Sequence, residues 1–209
     1  MNKILLSFII LAVIFLAWIA FGYFGSRVEL LPYTVISNDK EYEIREIPAH
    51  IIAETTVSGN FDQASGSSFN ILAGYIFGDN RRRETIAMTG PVIESESEKI
   101  AMTAPVLSAE SEGDERVFAF VMPSQYTLEN LPEPNDSRVK IKKVESKEVA
   151  VLQFSGFYSE KKIEEKKDLL KQYLERDGLE YGTVYWAGYN PPWTPPFMRR
   201  LEVWADLIK

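Results

Sequence analysis

Apolar positions along the chain form one long unbroken run and then many short, punctuated ones. From Ile4 to Phe24 almost every residue is apolar, with Ser7 the sole aliphatic hydroxyl. At ~1.5 Å per residue the run covers roughly 31 Å, about the hydrocarbon thickness of a bilayer. A single-pass transmembrane helix is expected here. A cleaved signal peptide is the rival, but the run exceeds the usual apolar core of such a peptide and no small-x-small site follows it. Trp18 and Tyr23 near its distal end suit an interfacial belt. Lys3 and Arg27 flank the run about equally, so charge scarcely orients it; the expected location is the cell membrane with the body outside the cytoplasm. The expected organisation is an anchor and flank over 1–27, a linker over 28–37 and one domain over 38–209.

The body reads in shorter units. Residues 41–47 alternate polar and apolar as a half-buried strand does, Pro48-Ala49 breaks the run, and His50 to Val57 forms a second, β-branched strand. After Gly59, Asn60 is placed to cap a helix, with Gln63 three residues on; Phe61, Phe69, Leu72, Ala73 and Ile76 then share one helical face. Gly66, Gly74 and three serines make it a poor helix by propensity, so packing must hold it. Val117–Met122 is a continuous apolar strand expected to be covered on both faces, and residues 131–136 read as an internal linker.

The pattern then recurs. A shift of 97 positions lays Tyr42, Ile44, Ile47, Ile52, Ala53, Val57, Ser58 and Gly59 on Val139, Ile141, Val144, Val149, Ala150, Phe154, Ser155 and Gly156. A second helix follows, with Ser159 as its cap and Asp177-Gly178 as its stop. Val184–Tyr189 and Leu201–Leu207 are the last strands. The expected fold is α+β: duplicated strand-strand-helix-strand-strand units closing into one pseudo-symmetric sheet or barrel with two helices, preceded by the transmembrane helix.

A second repetition lies inside the first unit. Ile86-Ala87-Met88-Thr89-Gly90-Pro91-Val92 and Ile100-Ala101-Met102-Thr103-Ala104-Pro105-Val106 match at six of seven positions, 14 residues apart, around a small and acidic stretch. They read as the arms of a hairpin, each ending its ladder near its proline. Met88 and Met102 could offer thioether sulfur, but matched places in apolar strands also fit plain packing.

Composition narrows the chemistry. With no Cys and one His, thiolate metal sites, disulfides, a Cys nucleophile and a multi-histidine centre are excluded. The net charge is −7, and since residues 1–27 hold only Lys3 and Arg27, the remainder carries −9; nucleic acid is not an expected partner. No phosphate loop or nucleophile triad stands out, so no catalytic residue and no metal ligand set is assigned.

Residues 99–106, the strand ending at Met122-Pro123, and the run from Asn190-Pro191-Pro192-Trp193-Thr194-Pro195-Pro196-Phe197 to Val203 resemble the SOUL haem-binding family over about residues 38–207. The resemblance implies a distorted β-barrel flanked by two helices, related to the ligand domains of multidrug-responsive regulators. It also implies reversible, non-covalent binding of haem or a related tetrapyrrole in an apolar groove beside the first helix of the body. Phe69, Leu72, Ala73 and Ile76 would line that groove, and Arg81, Arg82 and Arg83 would meet the propionates. The same apolar residues could equally be core, and the arginines could simply complement the helix dipole. His50 is the one candidate axial ligand; a lone His at a strand start is also a common surface residue.

The alternative is a pocket for aromatic or lipophilic cations, with a buried carboxylate that could also serve hydrolysis as a general acid. Its candidates are Glu202 with Tyr185, Trp186, Tyr189 and Trp193. Each also has a plain structural reading.

Overall fold

The computed structural model describes residues 3–25, 28–38, 41–82, 97–110, 114–191 and 193–208. The first copy of the twin phrase and the turn after it, with Met88 and Arg83, lie outside the described residues. In chain order the elements are helix α1 (Lys3–Gly25), strands β1 (Glu29–Leu30), β2 (Thr34–Asn38), β3 (Glu43–Ile47) and β4 (His50–Ser58), helix α2 (Phe61–Ile76), strands β5 (Asn80–Arg81), β6 (Thr103–Ala104), β7 (Val106–Glu110), β8 (Glu115–Val121), β9 (Glu133–Pro134), β10 (Lys140–Val144) and β11 (Lys147–Phe154), helix α3 (Glu160–Arg176), and strands β12 (Tyr181–Gly188) and β13 (Leu201–Leu207).

Nine strands form one antiparallel sheet in the order β10-β4-β8-β7-β12-β13-β11-β3-β2. The class is α+β, as expected, but the sheet is open, which corrects the expectation of a barrel. The physical reason lies at its edges. The segment expected to be a linker contributes β1 and β2, and β2 caps β3 with five exposed residues. At the opposite edge β10 carries Lys140, Lys142 and Lys143, charges that discourage strand addition.

Helix α2 begins where its cap predicts: the Asn60 side chain accepts from the Gln63 amide at 3.0 Å. Ser159 does the same for α3 through the Lys162 amide. The strands β10 and β11 begin 97 positions after β3 and β4, and both β4 and β11 run into a glycine of positive φ, Gly59 at 126° and Gly156 at 122°. A side chain there would be strained.

Alternation along the strands sorts the core into two layers. Along β8, Phe118 and Phe120 join the cluster beneath α2 and α3, while Ala119 and Val121 join a second cluster on the other face with Ile47, Ile52, Val149, Tyr185 and Trp204. β8 is thus covered on both faces, as its unbroken apolar run requires. The second copy of the twin phrase is not one strand arm. The Ile100 amide bonds the Ile76 carbonyl at the end of α2. Thr103–Ala104 then pairs in parallel with β1, and β7 starts only after the cis Ala104–Pro105 bond. The stretch expected to be an internal linker contains β9, paired with β5.

Candidate functional site

The residues expected to line a helix groove occupy two environments. Leu72 and Ile76 are buried in the core cluster beneath α2 and Ala73 is buried as well, whereas Phe69 is 43% exposed and packs its ring edge-on at 5.7 Å from Phe120. A helix on a sheet turns its apolar stripe inward, and this stripe was the only periodic signal α2 offered. Arg81, the exposed residue of β5, donates to Asn135, which follows β9. Arg82 approaches Glu98 at 3.6 Å.

The five residues considered for a cation pocket do not converge either. Trp186 faces the helices while Tyr185 and Tyr189 face the opposite layer, as neighbours on one strand must. Trp193 lies away from them, against α1. Glu202 and Tyr189 do meet, in a closed cluster. Glu202 is fully buried; its Oε1 accepts from Arg45 Nη1 at 3.0 Å and from Arg200 Nε at 2.8 Å, and its Oε2 from the Tyr189 hydroxyl at 2.8 Å and Trp204 Nε1 at 2.7 Å. That exhausts the lone pairs of a carboxylate. Arg45 also pairs with Glu43 at 2.7 Å, so two guanidiniums meet two carboxylates. Burial, and next the charge of Glu202, push the Tyr189 phenol up from its ordinary value, keeping it a donor. The guanidiniums stack over Tyr33 and Tyr189 at 4.2 and 4.0 Å. The cation such a cluster attracts is already supplied by the chain itself.

An open space exists elsewhere. A cavity of about 450 Å³ lies at the end of β8, walled by Leu30, Leu31 and Pro32 after β1, by Pro48, Ala49, His50 and Ile51 at the β3–β4 turn, by Val121, Met122 and Pro123, and by Tyr126 and Leu128 in the following turn; Lys143, Glu29 and Glu129 add charge. The size lies within the range of small-molecule sites, and the wall is mainly apolar with a few polar groups.

His50, the single imidazole, lies on this wall. Its Nδ1 is 2.9 Å from the Pro48 carbonyl. A carbonyl only accepts, so Nδ1 carries the proton and Nε2 of the neutral ring keeps its lone pair. Burial lowers the pKa of His50; the Pro48 bond opposes this and the charge of Lys147 adds to it. The ring is therefore neutral at pH 7. An imidazole whose other nitrogen donates to a backbone carbonyl is the usual arrangement of a metal ligand. The Tyr126 hydroxyl donates to Glu98 Oε1 at 2.8 Å, so Arg82 is linked to the cavity wall through Glu98.

Sequence reading missed Arg45, Arg200, Tyr33 and Trp204 around Glu202, although strand parity carried a signal. Arg45 shares a face with Ile47, and Glu202 shares one with Trp204. The cavity left no comparable trace, because its wall comes from separate turns.

Comparison with known proteins bears on the whole body. The Xenopus laevis Heme-binding protein 1 is 31% identical over 166 residues, covering 78% of this chain and 82% of that protein. The Homo sapiens Heme-binding protein 2 is 31% identical over 166 residues, covering 78% and 76%. Among solved structures, the EcmrR C-terminal domain superposes with a TM-score of 0.56 at 11% identity, covering 85% of this chain and 98% of that one. A hydrolase from Listeria innocua gives 0.51 at 16% identity, covering 83% and 94%; at such identities the likeness is one of fold alone. The SOUL heme-binding protein profile matches residues 28–206, from β1 almost to the end of β13. The chain belongs to the SOUL heme-binding protein family.

Proposed function

We propose that this protein binds haem or a related tetrapyrrole reversibly and without covalent attachment or turnover, in the cavity at the end of β8. The observation that carries the reading is His50, the one imidazole in the chain, set on the wall of an apolar cavity with its Nδ1 proton engaged by Pro48. The haem-binding names of its relatives support the ligand class. Leu30, Leu31, Ile51, Val121 and Met122 would cover the macrocycle and exclude water, His50 Nε2 would face the metal, and Lys143 would meet a propionate. Bound haem would supply an iron that takes a nitrogen ligand. The groove on α2 remains the second place for the ligand, with Phe69 as its exposed ring.

Helix α1 fits a single membrane span over Ile4–Tyr23, which would hold this body at the membrane surface, on its outer side. The common offset of 97 positions and the sheet order, which reads the same from either side of the β7–β12 pair when β2 is set aside, support an internal duplication as the origin of the fold.

The test is a haemin titration of the full chain in detergent. Saturation at one haemin per chain, with a shifted Soret band, is the expected result. A linear, non-saturating rise would overturn the reading.

A further inference from the structure

Helix α1 touches the body at a loop that the haem reading leaves unused. Trp18 Nε1 donates to the Trp193 carbonyl at 2.8 Å, the rings of Phe15 and Phe197 lie 6.4 Å apart, and those of Phe21 and Trp193 lie 6.2 Å apart. Gly22 completes the contact: a Cβ there would come within 2.5 Å of Pro195 Cδ. Positions 15, 18 and 22 follow helical spacing and share one face. The loop is stiff. The Thr194 amide bonds the Pro191 carbonyl, Arg199 Nε bonds the Thr194 carbonyl, and a short 3-10 turn runs over Pro196–Met198. It nevertheless presents large apolar rings to the outside: Trp193 is 50% exposed and Phe197 60%. The Gly156 amide bonds the Pro196 carbonyl and so brings in the neighbouring Phe157, 74% exposed.

The level of these contacts along α1 identifies what covers the rings. Phe15 lies eight residues before Tyr23, the last residue of the apolar span, hence about 12 Å inside its end at ~1.5 Å per residue. Phe197, packed beside Phe15, would then lie below the membrane surface, and Trp193, beside Trp18 and Phe21, near it. Trp is favoured at that depth, and Phe below it. We propose that the 193–198 loop is a membrane-inserting element: Trp193 and Phe197, with Phe157 beside them, enter the lipid alongside α1 and fix the orientation of the body on the bilayer. The partner is the lipid itself. The proposal rests on α1 as a membrane span and adds a second, independent point of insertion.

The experiment places the full-length chain in phosphatidylcholine vesicles with brominated acyl chains, which quench only tryptophan in contact with lipid. A Trp18→Phe variant removes the anchor's own signal and leaves Trp193 together with Trp186 and Trp204, which are buried within the body. The expected result is strong quenching in brominated vesicles that is lost when Trp193→Phe is added. If Trp18→Phe does not fold, wild type compared with Trp193→Phe alone gives the same reading as a smaller loss of quenching. A chain that floats with the vesicles while Trp193 stays unquenched would overturn the loop proposal and leave the anchor standing. A chain that does not float with vesicles at all would overturn both.

Discussion

Glu202 and His50 are two polar residues on strands of one sheet, and the difference between them is that between a closed cluster and the site proposed above. Glu202 is enclosed: each of its oxygens has at least two donors, and its charge is balanced by Arg45 and Arg200. His50 has one ring nitrogen engaged with its own turn and stands on the wall of a cavity. A buried charge surrounded by aromatic rings suggests ligand binding only while its partners are unknown. Once the chain supplies them all, the arrangement serves to orient β3 against β13. A half-buried imidazole with a committed tautomer has less around it and more left to do.

The largest effect should come from opening the closed cluster. Glu202→Ala leaves Arg45 and Arg200 without their shared buried carboxylate, Arg45 keeping only the partly exposed Glu43, and is expected to destabilise the protein by about 3–5 kcal/mol, read as a lower urea midpoint. Unchanged stability would mean that the cluster is an open site. Next is Leu72→Ala beneath α2. As a fully buried core residue it should cost about 2–5 kcal/mol, while haemin affinity of the folded fraction stays as in wild type. A selective loss of haemin affinity would move the ligand to the helix groove.

The third contrast is a pH dependence. Burial holds the folded pKa of His50 below its ordinary value of about 6.5. Between the two values the unfolded chain binds more protons, so this contribution to stability is complete above about pH 6.5 and is lost as pH falls through the folded value. Urea midpoints measured on both sides of that window should converge less in wild type than in His50→Gln, which lacks the titrating ring. An identical pH profile in the two would show that the imbalance at His50 is absent. The smallest effect concerns Thr55, whose buried hydroxyl has no hydrogen-bond partner among the described residues. Thr55→Val should stabilise by about 1 kcal/mol, in contrast to any loss of a Glu202 partner; a lower melting temperature would reveal a bond that the geometry does not contain.

Much of the fold was legible because it rests on local signals. The alternation from Glu43 to Ile47, the caps at Asn60 and Ser159, the apolar run of β8 and the stop at Gly178 each act within a few residues. The openness of the sheet was not legible, since it depends on β2 adding to an edge rather than on any pattern within β2. The candidate site was less legible still. The stripe Leu72–Ala73–Ile76 announced burial without saying against what. Glu202 announced a buried charge, while its partner Arg45 lies 157 positions away in sequence. The wall around His50 is built from the ends of strands, where neither period-2 nor period-3.6 patterns operate, so nothing in the sequence around the one candidate axial ligand separated its ligand reading from its surface reading.

Whether His50 on the cavity wall holds the ligand is tested by a parallel haemin titration of the full-length wild type and His50→Ala, with free imidazole added to the variant. Affinity is expected to fall at least about tenfold, equivalent to ~1.4 kcal/mol, with a shifted Soret band in the bound form, and imidazole is expected to restore the wild-type spectrum while the urea midpoint stays nearly unchanged. Equal affinity and an identical Soret band in wild type and His50→Ala would contradict it.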